Sequence, residues 1–426
     1  MGKVFVLRIL GVVLALLLVL AFSVLETSPR VSVAAAAQVN HADSVKPLMK
    51  QVEMAMTDRR SSHRIHVSEH QFDSIVGMVQ RGIPSFNGTM DVADGKAGMT
   101  FTQALAGDAV FLNISLTVLP ADRLQIEHVS IGDLVIPGDW FLALAEYAVN
   151  YWTKSDVATQ AQSRVQRVTL DNQGVSVYLA PLDQLLSQLN TLSFSLSGEQ
   201  NTELQSLTAY YLRYISGREL ALYAEPQPLR LYMREGFLRA RERSQESDPV
   251  LHNKATILAL AVFVGHHRLA NLIGDIQPDP KRALKPRQPA LLRGREDLAR
   301  HFIISAALKL LSEEGVSLAI GEFKELMDRA KGGSGYSFVD LAADMAGVAF
   351  ADVATSPERA LALQHAVIRA GDEGVFMPDI SGLPEGLSKQ AFEQAYGGVD
   401  SPAYLEQVAI IRERLAAIPL YQTATP

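Results

Sequence analysis

A chain of 426 residues, 48% hydrophobic and 20% charged, is long enough for two or three packed domains and too apolar to be disordered. Its net charge of -7 argues against a general nucleic-acid binder, which needs a basic face to neutralise phosphates. The absence of cysteine excludes a thiol nucleophile, thiolate metal ligands, a disulfide framework and a lipoprotein lipobox.

Lys3 and Arg8 precede an almost unbroken apolar run from Ile9 to Leu25. A spanning helix needs about 20 residues, whereas the apolar region of a cleavable signal is ~7–15. The run therefore reads as a retained signal anchor, with its positive flank in the cytoplasm and the bulk of the chain outside. The small-residue patch Val33–Ala37 offers the alternative of a cleaved signal peptide. Residues 1–37 are thus an anchor or signal peptide with linker, and residues 26–45 show no apolar periodicity. The expected location is the bacterial inner membrane, single-pass, with the bulk in the periplasm, or the periplasm itself after cleavage. Cytoplasmic cofactors such as ATP or NAD do not suit that compartment.

Residues 38–180 alternate short strands with helices. Arg64–Val67 reads as a strand, and Ser68-Glu-His-Gln71 has capping-box spacing ahead of a helical run that Pro84 closes. Strands follow at Thr89–Val92, Ala97–Thr102, Val110–Val118 and Leu124–Ile131, then a helix over Trp140–Trp152. A last strand pair, Val165–Leu170 and Val175–Leu179, is joined by the turn Asp171-Asn-Gln-Gly174. Turn punctuation and alternation predict an antiparallel sheet with one packed face. The segments Val67–Phe72, Phe111–Val118 and Leu124–Pro137 resemble YpmS-type extracytoplasmic proteins and, more loosely, AsmA-like domains over about 60–180. The resemblance implies a curved sheet that holds or shields lipid-like material beside the membrane.

From 181 to 426 the period is helical. Leu185–Phe194 and Leu204–Ile215 are amphipathic, and Ala255–Val264 is apolar on all sides, which predicts a buried helix too short to span a bilayer. Residues 275–293 form a proline-containing basic loop, and the basic run Lys281, Arg282, Lys285, Arg287, Arg293 and Arg295 is a solvated face or a contact for anionic lipid or glycan. Helices are expected near 296–312, 315–330, 337–352, 357–370 and 402–417. The fold class is therefore α+β: a membrane-anchored chain with an N-terminal antiparallel-sheet domain followed by a mostly α-helical one.

Titratable side chains concentrate near 297–344. Asp297 and His301 are four apart, so a carboxylate there can fix the imidazole in one tautomer. Glu325 and Asp328 share one helical face, and Asp340 and Asp344 share another. Three such faces meeting would form an acidic pocket with one imidazole. Glu325 would then serve as general acid or base beside His301 and Asp297, or His301, Asp340 and Asp344 would hold a hard or borderline divalent metal. Bland readings stand beside these: Ser337 to Asp340 has capping spacing, first-turn acids suit the helix dipole, and Gly332–Gly335 serves as a C-cap and turn. His266 and His267 are a second candidate, although neighbouring helical histidines point about 100° apart and cannot share a metal without a bend.

The pattern Asp297-x-x-x-His301-Phe302, Lys324-Glu325-x-x-Asp328, and Gly335-Tyr-Ser337-Phe-x-Asp340-Leu341-x-x-Asp344-x-x-Gly347 resembles the YfiM-like family of envelope lipoproteins over about 295–352. It is similar in outline to VanZ-like proteins. The resemblance implies a small helical envelope module and brings no established reaction with it. The chain departs from that family in lacking the lipobox cysteine and in its large N-terminal region. Two functions stay open: an envelope factor that binds lipid or glycan and docks an envelope protein partner, or a hydrolase of an envelope polymer or lipid using His301 and Glu325.

Overall fold

The computed structural model describes residues 23–58, 60–105, 109–186, 188–189, 199–245, 248–273, 276, 284–311 and 335–422. The chain divides into two compact units, Met1–Leu192 and Ser193–Pro426. Helices and antiparallel sheets are both present, so the class is α+β.

In the first unit, β1 (Leu25–Glu26), α1 (Val45–Thr57), β2 (His63–Ser68) and α2 (Glu69–Gly82) precede a run of strands. These are β3 (Phe86–Ala93), β4 (Lys96–Leu105), β5 (Val110–Leu119), β6 (Gln125–Ile131) and β7 (Leu134–Pro137). Two helices, α3 (Gly138–Thr153) and α4 (Val157–Arg164), lead to the strand pair β8 (Val165–Asp171) and β9 (Gly174–Leu179). The larger sheet runs β3-β4-β5-β6-β7, all antiparallel, with β1 added to β5 at Leu112 and Phe111. The smaller sheet is β2-β9-β8. Local chemistry sets the breaks. Ser68 Oγ accepts from the Gln71 N–H at 3.2 Å while Gln71 Oε1 accepts from the Ser68 N–H at 3.0 Å, a reciprocal cap that starts α2. Asp94 and Gly95 both have positive φ and close the two-residue turn from β3 to β4. The core between the sheets is Met90, Ala97, Val118, Val168 and Val175, with Phe72 and Val67 packed against it.

Residues 26–45, expected as linker, are built into this unit. Val31, Val39, Ala42 and Val45 are buried, and Gln38 Nε2 donates to the Gly88 carbonyl at 2.7 Å. Asn113, fully buried, donates to Glu26 and accepts the Arg30 N–H at 3.0 Å. Small alanines and valines fill close contacts without producing any period, which is why the stretch reads as linker in sequence.

The second unit is helical, with α5 (Glu199–Ser216), α6 (Leu229–Arg243), α7 (Pro249–Leu260), α8 (Glu296–Leu311) and α9 (Phe338–Thr355). Further helices are α10 (Ala360–Arg369), α11 (Lys389–Tyr396) and α12 (Pro402–Ala416). Asp248 caps α7 by accepting the Val250 N–H at 2.9 Å, and Pro249 starts its first turn. Its apolar second half is fully buried and widens into a π turn, Ala261–Gly265, where the His266 N–H donates to the Ala261 carbonyl at 2.8 Å. Aromatic packing fills the unit: Phe302, Phe350 and Phe376 form one contact group, Tyr336, Phe338, Phe392 and Tyr404 another. The loop after Phe376 is anchored by buried Met377 and Leu383.

Among the described residues no helix is long and apolar enough to cross a membrane. The expected anchor lies almost entirely outside the described residues, as does the helix expected over 315–330.

Candidate functional site

The sequence cluster resolves onto two helices, α8 and α9, that run side by side in the same direction. Ser337 caps α9 by accepting the Asp340 N–H at 3.0 Å, so the capping spacing is explained by the serine and leaves the Asp340 carboxylate for other work. Gly347 sets the spacing of the pair. A Cβ at that position would sit 2.1 Å from the Phe302 carbonyl oxygen and 3.1 Å from the Ala306 nitrogen. Only a residue without a side chain lets the helices approach this closely.

That approach places His301 between two carboxylates. Its Nδ1 lies 3.1 Å from Asp344 Oδ1 and 3.2 Å from Oδ2, and its Nε2 lies 3.6 Å from Asp340 Oδ2. Ser305, one turn on, donates its hydroxyl to Asp344 Oδ1 at 2.6 Å. His301 is 9% exposed, Asp340 7% and Asp344 2%, so the cluster is buried.

The structure reassigns the partner of Asp297. Its carboxylate takes two bonds from Arg295, Nη2 at 2.6 Å and Nε at 3.1 Å, rather than meeting His301. Arg295 also reaches Glu385 at 2.6 Å and Asp340 at 3.5 Å. The guanidinium holds the Asp297 carboxyl below the usual carboxylate range, and those hydrogen bonds push Arg295 itself upward. Glu325 and Asp328 lie outside the described residues. Gly335 has φ of +86° and packs on the Gly386 backbone, so its role is a tight turn. Among the described residues no group of three or more His, Asp or Glu side chains is placed to hold a metal ion. His301, Asp340 and Asp344 do come together. The two ring nitrogens, however, face the two carboxylates from different edges of the imidazole, so the three do not point at one centre.

A cleft of about 360 Å³ lies along the outer side of the first two turns of α8. Its floor is the π turn, where Gly265 lets the backbone come close to Ile303 and Ile304. Its walls carry His266, His267, Lys285, Arg287 and Arg300, with Glu296 as the one acidic side chain among the described lining residues. Arg300 pairs with Glu296 one turn away. His266 and His267 are not helical neighbours as the sequence suggests. His266 is extended, at φ −151° and ψ 124°, and this allows the two rings to stack with centroids 4.7 Å apart.

No protein-family model, curated protein or solved structure matches the chain.

The geometry separates two sets of residues. In the buried set, Ser305 donates to the carboxylate and not to the imidazole, so the hydroxyl is not in the position of a base-activated nucleophile. What that set does is join α8 to α9 through bonds that neither helix can satisfy alone. The cleft set is solvent-facing and predominantly cationic. Sequence reasoning gave Arg295 only as the end of a basic run, and missed Ser305 and the π turn. Arg295 and Ser305 each lie within four residues of His301 or Asp297 along the chain, which was the available signal; the π turn has none.

Proposed function

We propose that this is an envelope protein held at the bacterial inner membrane by the apolar run that begins at Ile9, its bulk in the periplasm, and that its helical unit binds an anionic lipid headgroup or acidic glycan in the cleft beside α8. The observation that carries the binding reading is the charge of that cleft: Lys285, Arg287 and Arg300 against Glu296, with two stacked histidines and a floor of backbone. Guanidinium groups suit phosphate and carboxylate acceptors, which they bind through paired hydrogen bonds. The packing of residues 26–45 supports a retained anchor. Cleavage within Val33–Ala37 would strip away β1, buried Val31 and the partners of Asn113.

The hydrolase reading, with His301, Asp297 and Glu325 in catalytic roles or a divalent metal on His301, Asp340 and Asp344, draws less support. Both imidazole nitrogens already face carboxylates in a buried setting, whereas a general base needs one nitrogen facing water or substrate.

Titration calorimetry on the full chain in detergent tests the proposal, with short-chain phosphatidylglycerol as the lipid probe and an oligouronate as the glycan probe. The double variant Arg287→Gln/Arg300→Gln should weaken binding of the preferred probe by at least about tenfold, the loss expected of roughly one charged hydrogen bond. Glu296→Gln should tighten it, because the competing carboxylate is gone. Wild type and both variants behaving alike toward both probes would contradict the assignment.

A further inference from the structure

Both tryptophans of the chain stand on α3, and both face outward: Trp140 is 77% exposed and Trp152 71%. Leu144, Tyr147 and Tyr151 lie between them at 62%, 68% and 76%, and Ala143 and Ala148 complete the same stripe. Trp140, Leu144, Tyr147 and Tyr151 keep the spacing of one helix face, where the Tyr147 and Tyr151 rings stack 6.1 Å apart, and Trp152 stands roughly 120° round from Trp140, on the flank of the stripe. A helix of a globular unit turns such a stripe inward. Here Gly138 is the only buried residue of the helix. The stripe carries no charge, and its aromatic residues have the apolar body and polar tip that favour a membrane–water boundary over an acyl core or bulk water.

The path of the chain says what lies beside this face. The apolar run from Ile9 ends at Leu25, and its last residues are fixed to the turn between β6 and β7. The Asp133 N–H donates to the Ser23 carbonyl at 2.8 Å. Gly132, with φ of +56°, brings its backbone so near that a Cβ would lie 2.5 Å from the Ser23 oxygen. From that turn, β7 exposes Leu134 and Val135 and runs directly into α3. A four-residue strand spans about 13 Å. The end of the apolar run is therefore one short strand from Trp140, and that strand exposes Leu134 and Val135 between the carboxylates of Asp133 and Asp139.

We propose that α3 lies in the interface of the membrane that anchors the chain, its aromatic stripe seated among headgroups and upper acyl chains. The inference rests on the anchor reading given above. Its occupant is the bilayer, and a second copy of the chain or another protein surface are the competing occupants.

The placement of both tryptophans on α3 makes the test direct. The full chain is purified in detergent and reconstituted into phosphatidylcholine–phosphatidylglycerol vesicles with or without acyl-brominated phosphatidylcholine. Flotation reads the anchor, and tryptophan emission reads α3. Co-flotation with emission quenched by at least about half is the expected result, since an interfacial helix buries its apolar face ~5–10 Å into the headgroup–acyl boundary. The single-tryptophan variants Trp140→Phe and Trp152→Phe should each remain quenched. Co-flotation with unquenched emission overturns the seating of α3 while leaving the anchor standing, and a blue-shifted but unquenched signal assigns the stripe to a protein surface. Failure to float overturns the anchor and this inference together.

Discussion

Asp344→Ala should destabilise the helical unit by about 3–5 kcal/mol, the cost of removing one partner from a buried charged cluster. Asp344 is 2% exposed and accepts from Ser305 Oγ at 2.6 Å while facing His301 Nδ1 at 3.1 Å. Alanine leaves a buried hydroxyl without its acceptor, and the imidazole without the carboxylate at Nδ1. Asp344→Asn keeps one acceptor oxygen and should lose less, which separates the lost hydrogen bonds from mere loss of volume. Both tryptophans belong to the first unit, so the unfolding of the helical unit is read by far-ultraviolet circular dichroism in urea. A loss under about 1 kcal/mol, the ordinary cost of a surface change, would show that the cluster does not hold α8 to α9.

Gly347→Ala should cost about 3 kcal/mol or more, at the upper end of overpacking penalties. In an exposed helix the same change stabilises by roughly 1 kcal/mol, because alanine has the higher helix propensity. Here the new methyl would meet the Phe302 carbonyl oxygen at 2.1 Å, and a backbone atom inside a helix cannot rotate aside. Packing therefore reverses the sign that propensity alone gives. The same denaturation series measures it, and a stabilised Gly347→Ala would contradict the close approach of the two helices.

Regular elements were legible where periodicity and caps coincide. Ser68 with Gln71 marks the start of α2, Asp248 with Pro249 would mark α7, and the all-round apolar run Ala255–Val264 is buried as expected. The cluster was legible as a place and not as a set of bonds. The i,i+4 rule pairs Asp297 with His301, yet it sees only one helix. Arg295, always charged and two residues away, outcompetes an imidazole for that carboxylate. The carboxylates that do face His301 come from residues about forty positions along the chain, which no local spacing reports. The stripe on α3 shows a related limit: its period identifies a helix, whereas which side faces the core depends on neighbours that the period does not contain. Valines and alanines of 26–45 pack without any period at all.

In the proposed function the solvent-facing cleft binds an anionic ligand while the His301 cluster holds α8 to α9. The most direct measurement compares affinity and stability in His301→Gln and in Arg287→Gln/Arg300→Gln, using phosphatidylglycerol or oligouronate titration beside urea denaturation of the same samples. The expected result is a crossed pattern: His301→Gln lowers stability and leaves affinity unchanged, and the arginine pair loses affinity with stability unchanged. A folded His301→Gln that no longer binds, beside an arginine double variant that binds like wild type, would rule out the cleft and place the functional site in the buried cluster.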